Sequence, residues 1–93
     1  MRRLIWSKTF IRALKRVIRK QPKLRQDIEN TLEFLSRDPF APQLRTHKLK
    51  GKLSGCWACS VGYDMRIVFE FVKREGSADD IFLIEIGTHD EVY

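Results

Sequence analysis

"CWACSVGYDMRIVFEFVKREGSADDIFLIEIG", Cys56 to Gly87, is the stretch whose reading decides the fold. Within it Met65, Ile67, Phe69 and Phe71 alternate with Arg66, Val68, Glu70 and Val72. A period of two sends successive side chains to opposite faces of a strand, so one face turns to a core. The turn-forming "GYD" (Gly62–Asp64) and the polar "REGSADD" (Arg74–Asp80) divide the stretch into three strands. Consecutive strands joined by such short loops form an antiparallel meander.

Upstream the period becomes helical. Ser7 is suited to cap a helix in which Phe10, Ala13, Leu14, Val17 and Ile18 share one face, while Lys8, Arg12, Lys15, Arg16, Arg19 and Lys20 share the other. Gln21-Pro22 ends it, and Pro22 suits the first turn of a second helix carrying Leu24, Ile28, Leu32 and Leu35. That helix ends before Pro39 and Pro42. So short a connection makes an antiparallel hairpin. Arg3–Trp6, "RLIW", reads as a first strand pairing at a sheet edge, and residues 38–55 as a Pro/Gly/Lys-rich loop. The expectation is one α+β domain over residues 1–93. It has an N-terminal strand and a two-helix hairpin packed on a twisted antiparallel sheet of about four strands.

With 43% hydrophobic residues the chain has material for a core, which excludes global disorder. No apolar run approaches the ~18 residues of a membrane helix, and "MRRLIWSKTF" lacks the long apolar stretch of a signal peptide, so a cytoplasmic protein is expected. The net charge of +6 is unevenly spread. Residues 1–50 hold 14 Lys and Arg against 4 Asp and Glu, whereas residues 51–93 hold 4 against 8. Such a basic half fits a polyanion partner, either nucleic acid or an acidic protein, although small proteins are often basic without one. Cys56 and Cys59 form a Cys-x-x-Cys pair, but no second pair completes a zinc site. On a strand, a three-residue offset sends the two sulfurs to opposite faces, so ordinary reduced cysteines are expected.

Three motifs follow one another: "LKGKLSGCW" (Leu49–Trp57), "GYDMRIVF" (Gly62–Phe69) and "IGTHDEVY" (Ile86–Tyr93). In this order and spacing they resemble the RelE/ParE superfamily of bacterial toxins, and within it the YafQ-like mRNA interferases, over essentially the whole chain. The resemblance implies a RelE-like fold and a ribosome-dependent endoribonuclease that cuts mRNA with no metal or other cofactor. It implies a cognate acidic antitoxin, in a hetero-oligomer with the toxin, and the ribosome and mRNA as further partners, with no membrane. In that reaction the RNA 2′-hydroxyl attacks the adjacent phosphorus, so a base, an acid and a cation are required. ParE-like relatives on the same scaffold inhibit DNA gyrase instead, and a homologue that only binds antitoxin is a third reading.

The resemblance also implies roles for particular residues. His89 is the expected general acid, and His47 is expected to act as base or to hold the phosphate. Asp64 is a base or an orienting group, or else simply a turn residue. Arg66 is expected to stabilise the transition state, with a cross-strand ion pair to Glu70 or Glu85 as the alternative. Tyr93 would stack on a base or contact the phosphate, unless it only anchors the chain terminus. Lys48, Lys50 and Lys52 read as contacts to an RNA backbone. The chain departs from its relatives in placing Trp57 and Cys59 where RelE has lysines. Ser60 stands where YafQ-like toxins have a histidine, and Glu85 where they have an arginine. An acid at position 85 would oppose phosphate binding if it faced the site.

Overall fold

The computed structural model describes all 93 residues. In chain order it comprises β1 (Leu4–Trp6), α1 (Lys8–Lys20), α2 (Arg25–Arg37), β2 (His47–Lys48), β3 (Trp57–Val61), β4 (Met65–Val72), β5 (Asp80–Thr88) and a short α3 (His89–Val92). The sheet order is β1-β5-β4-β3-β2. The meander β3-β4-β5 is antiparallel as the loops dictate, and β1 does sit at an edge. Two details differ from expectation. β1 runs parallel to β5, so the sheet is mixed, and β2 adds a fifth strand beside β3. β2 is two exposed residues inside a Lys-rich loop and has no alternation to announce it.

The hairpin forms where the periodicity placed it. Ser7 Oγ accepts from the amide of Phe10 at 3.0 Å, satisfying a free donor at the start of α1, and Arg19 and Lys20 complement the helix dipole at its end. A short 3₁₀ turn at Pro22–Leu24 leads into α2. The helices bury Phe10, Ala13, Val17, Ile28, Leu32 and Leu35 against Ile67, Phe69, Ile81, Leu83 and Ile86 on one face of the sheet. Each large side chain so buried is worth roughly 1.5–3 kcal/mol of transfer free energy. No helix is long and apolar enough to cross a membrane.

Asp80 fastens the edge strand. Its side chain is 4% exposed and accepts from Arg3 at 2.7 Å, with Arg74 at 3.5 Å, while Arg3 O accepts from the Ile81 amide. At the other end, pairing skips Ile84: Val68 opposes Glu85, but the adjacent Phe69 opposes Leu83. Strict alternation would put Glu85 on the same face as Ile81 and Leu83, in the core. The bulge inserts one residue, returns Ile86 to the core and turns Glu85 out. Cys59 lies in the core while Cys56 precedes β3, and both are free thiols. Burial pushes the Cys59 thiol up to about 12, which leaves it without thiolate character at neutral pH.

Candidate functional site on the open face of the sheet

Antiparallel partners share a face, so pairing sets Ser60, Arg66 and Gly87 in one row on the side away from the helices. His47, Ala58, Val68 and Glu85 form the next row. After β5 the chain turns into α3. Thr88 Oγ1 accepts from Glu91 N at 3.4 Å and Glu91 Oε1 accepts from Thr88 N at 2.8 Å, a reciprocal capping box. The Thr-x-x-Glu spelling of that box stands in the sequence, and it is the signal by which this helix could have been found. Glycine at 87 lets α3 rest directly on β5, because a Cβ there would lie 3.1 Å from both Glu91 and Val92. α3 in turn carries His89 and Tyr93 over to Arg66.

Tyr93 is the meeting point. Its hydroxyl is 3.5 Å from His47 Nε2, and its ring meets the His89 ring edge-on with centroids 4.5 Å apart. Arg66 donates to the carbonyls of Met65 and Tyr63 at 3.1 and 3.2 Å, and its guanidinium reaches toward the Tyr93 hydroxyl. No ion pair joins Arg66 to Glu70 or Glu85, so its charge is free for an anion. Burial pushes the Tyr93 phenol above its ordinary range, with Arg66 opposing the shift, so at neutral pH the hydroxyl remains a donor.

His47 has a defined tautomer. Its Nδ1 is 2.9 Å from Arg45 O. A carbonyl can only accept, so in the neutral ring Nδ1 carries the hydrogen and the Nε2 lone pair points to Tyr93. The Tyr93 hydroxyl, His47 and the Arg45 carbonyl therefore form a short chain in which Tyr93 donates toward Nε2 and Nδ1 donates to the carbonyl.

Beside this chain of groups lies an open hollow of about 830 Å³, lined by Asp64, Arg66 and His89 together with Gln43, Arg45 and Ser60. Of the expected residues, the structure brings His47, Asp64, Arg66, His89 and Tyr93 to this one region. Asp64 is exposed in the β3–β4 turn and makes no hydrogen bond to either histidine. Lys50 and Lys52 border a shallow depression that Tyr93 also lines. Lys48 does not join them; alternation turns it from His47, and its ammonium sits 5.5 Å over the Trp57 ring. Glu85 lines a separate groove with Arg16 and Lys20 and is not among the residues that line the hollow. Arg45, Gln43 and Ser60 were not anticipated, because an irregular loop folds the first two against the strand that holds the third. No three His, Cys, Asp or Glu side chains gather in a way that could ligate a metal ion. Chemically the region offers two imidazoles, one with its Nε2 lone pair turned to the Tyr93 hydroxyl, beside a guanidinium with no carboxylate partner.

A helical hairpin on one face of a twisted sheet, with that cluster on the other, is the RelE-like toxin fold. The chain belongs to the YafQ family, described as bacterial toxins of type II toxin–antitoxin systems, whose model matches residues 2–93. Among solved structures, YafQ from E. coli strain BL21(DE3) superposes with a TM-score of 0.80 at 16% identity, covering 100% of this chain and 99% of that one. A metal-bound toxin from Helicobacter pylori gives 0.72 at 28% identity, with 100% of both chains covered. YafQ in the E. coli DinJ–YafQ complex gives 0.79 at 14% identity over 100% of this chain and 99% of that one. No curated protein matches the chain.

Proposed function

We propose that this toxin is an mRNA endoribonuclease that acts on the ribosome and is neutralised by a cognate antitoxin. The observation that carries the reading is that Tyr93 meets both His47 and His89 beside one open hollow, which Arg66 and His89 line. His47 Nε2, left without a hydrogen by the Nδ1–H···O=C bond, exchanges the Tyr93 hydroxyl for the RNA 2′-hydroxyl and takes its proton. The 2′-oxygen attacks the adjacent phosphorus, and Arg66 holds the non-bridging oxygens as their charge grows. His89, entering as imidazolium, gives its proton to the departing 5′-oxygen, leaving a cyclic phosphate and a free 5′-hydroxyl. With base, acid and cation all supplied by side chains, no step calls for a metal ion. Lys50 and Lys52, beside Tyr93, extend the positive surface along the RNA backbone, and Lys48 adds to it from the far side of β2.

The DinJ–YafQ complex in E. coli supports an antitoxin partner here too. The basic face of α1 suits an acidic one, and a substrate on the ribosome implies work in the cytoplasm. The test is induction of the chain in cells followed by primer extension on mRNA. Discrete cuts within codons are expected, and His89→Ala should lower cutting by about 10²–10⁴-fold with the fold retained. DNA damage without mRNA cuts would replace this reading with gyrase inhibition, and a folded His89→Ala variant that cuts normally would remove His89 from the chemistry.

A further inference from the structure

Arg45 differs in backbone from every other non-glycine residue of the chain: it alone has positive φ, at 52° with ψ 37°. For an L-residue this conformation costs of order 1 kcal/mol or more, and it persists where the surroundings hold it. Two contacts do so. Its amide donates to Pro42 O at 3.2 Å, closing the 3₁₀ turn Pro42–Leu44, and its carbonyl accepts the Nδ1–H of His47 at 2.9 Å. The side chain lines the same hollow as Arg66, Asp64 and His89, and no carboxylate pairs with it. Glycine would meet the backbone requirement without strain, and Gly51, Gly55 and Gly62 do so nearby. An arginine at such a position brings a cation to the hollow that glycine could not. Among the sheet strands only Arg66 does the same, because Cys59 points into the core and Ser60 is neutral.

We propose that Arg45 is a second phosphate-gripping residue of the site, and that its left-handed backbone holds His47 in the Nδ1-protonated tautomer. The first part rests on the nuclease reading, since it takes the ligand to be a phosphate of single-stranded RNA. The second does not. Attack by the 2′-oxygen raises the charge on the two non-bridging oxygens, and two guanidiniums in one hollow can hold both. Arg45 also couples the parts of the site: one residue grips the phosphate with its side chain and orients the base with its carbonyl.

Three variants separate the roles. Arg45→Gly keeps the backbone conformation and carbonyl but removes the cation, Arg45→Ala removes the cation and keeps the strain, and Arg45→Lys keeps a charge. Each full-length variant is titrated with a short single-stranded RNA whose 2′-hydroxyls are methylated, so that it binds without being cut. Arg45→Gly and Arg45→Ala are expected to bind about ten-fold more weakly, with a log–log salt slope shallower by about 0.7, and Arg45→Lys to recover part of both. ¹⁵N resonances of His47 should report Nδ1–H in the wild type, in Arg45→Gly and in Arg45→Ala alike, because each keeps the carbonyl that accepts from Nδ1. Unchanged affinity and slope in the Gly and Ala variants overturn the gripping role, and an Nε2–H tautomer in the wild type overturns the orienting role. A wild type that neither binds this RNA nor cuts mRNA overturns the nuclease reading and the gripping role with it. The tautomer measurement needs no RNA and judges the remainder separately.

Discussion

Gly87→Ala separates the site from the fold more cleanly than truncating any of the proposed reactive side chains. The new methyl would lie 3.1 Å from Glu91 Cβ, Glu91 Oε1 and Val92 Cγ1 at once, and these neighbours must retreat by a few tenths of an ångström. They cannot do so independently, because Glu91 Oε1 is also the acceptor, at 2.8 Å, of the capping box that starts α3. Losing that cap costs about 1 kcal/mol. None of the side chains of α3 is fully buried, so the core between hairpin and sheet stays intact. In a chain of this length 1 kcal/mol lowers the melting temperature by roughly 4–8 °C. Cutting should fall far more, because His89 and Tyr93 ride on α3 and a displacement near 1 Å can cost about 10²-fold. The assay is primer extension for cutting, set beside thermal unfolding followed by circular dichroism. Glu91→Ala, which breaks the same box without adding a methyl, should move both readouts in the same direction. Wild-type cutting by Gly87→Ala would refute the claim that close packing on Gly87 positions the site. A melting temperature lowered by tens of degrees would refute the claim that α3 is separable from the core.

Asp80→Ala, which removes the buried acceptor of Arg3 and the ion-pair partner of Arg74, should lower the unfolding free energy by about 1–2 kcal/mol in urea titration while leaving cutting per folded molecule unchanged. No loss of stability would show that the edge strand does not depend on this pin. Cys59 makes stability depend on pH on the alkaline side only. Its thiol rises from 9.0 to about 12 on folding, so between those values the unfolded chain releases a proton that the folded chain keeps. Stability is therefore full below pH 9 and falls as pH rises through that window, and Cys59→Ala should lose less between pH 8 and 10.5 than the wild type does. Equal losses in the two proteins would refute the assignment.

Much of the architecture was readable from side-chain periodicity, since the core-facing rows of α1, α2 and β4 are the apolar rows of the sequence. The bulge at Ile84 was not readable. "IFLIEIG" is apolar at nearly every position, so nothing local says where alternation slips, and only pairing with Val68 and Phe69 shows which face Glu85 takes. β2 was missed because two residues are too few to show a period. The direction of β1 was open because a three-residue strand can pair either way, and the ion pairs of Asp80 with Arg3 and Arg74 join residues far apart in sequence. At the site, the five residues singled out do lie together. Arg45 carried no local signal, since an arginine in a loop reads as solvated surface until its backbone angle and its bond to His47 are known.

The sequence by itself determined the α+β class, the hairpin, the meander and the basic half. These follow from periodicity, capping and charge, which act between residues near one another along the chain. Only the tertiary structure decided that Glu85 lies outside the lining of the hollow, that His47 offers Nε2 rather than Nδ1, and that the helix after Thr88 is seated on Gly87. Each depends on contacts between segments that meet only after folding. A side chain's face or tautomer is set there by whichever partner arrives, which no local pattern encodes.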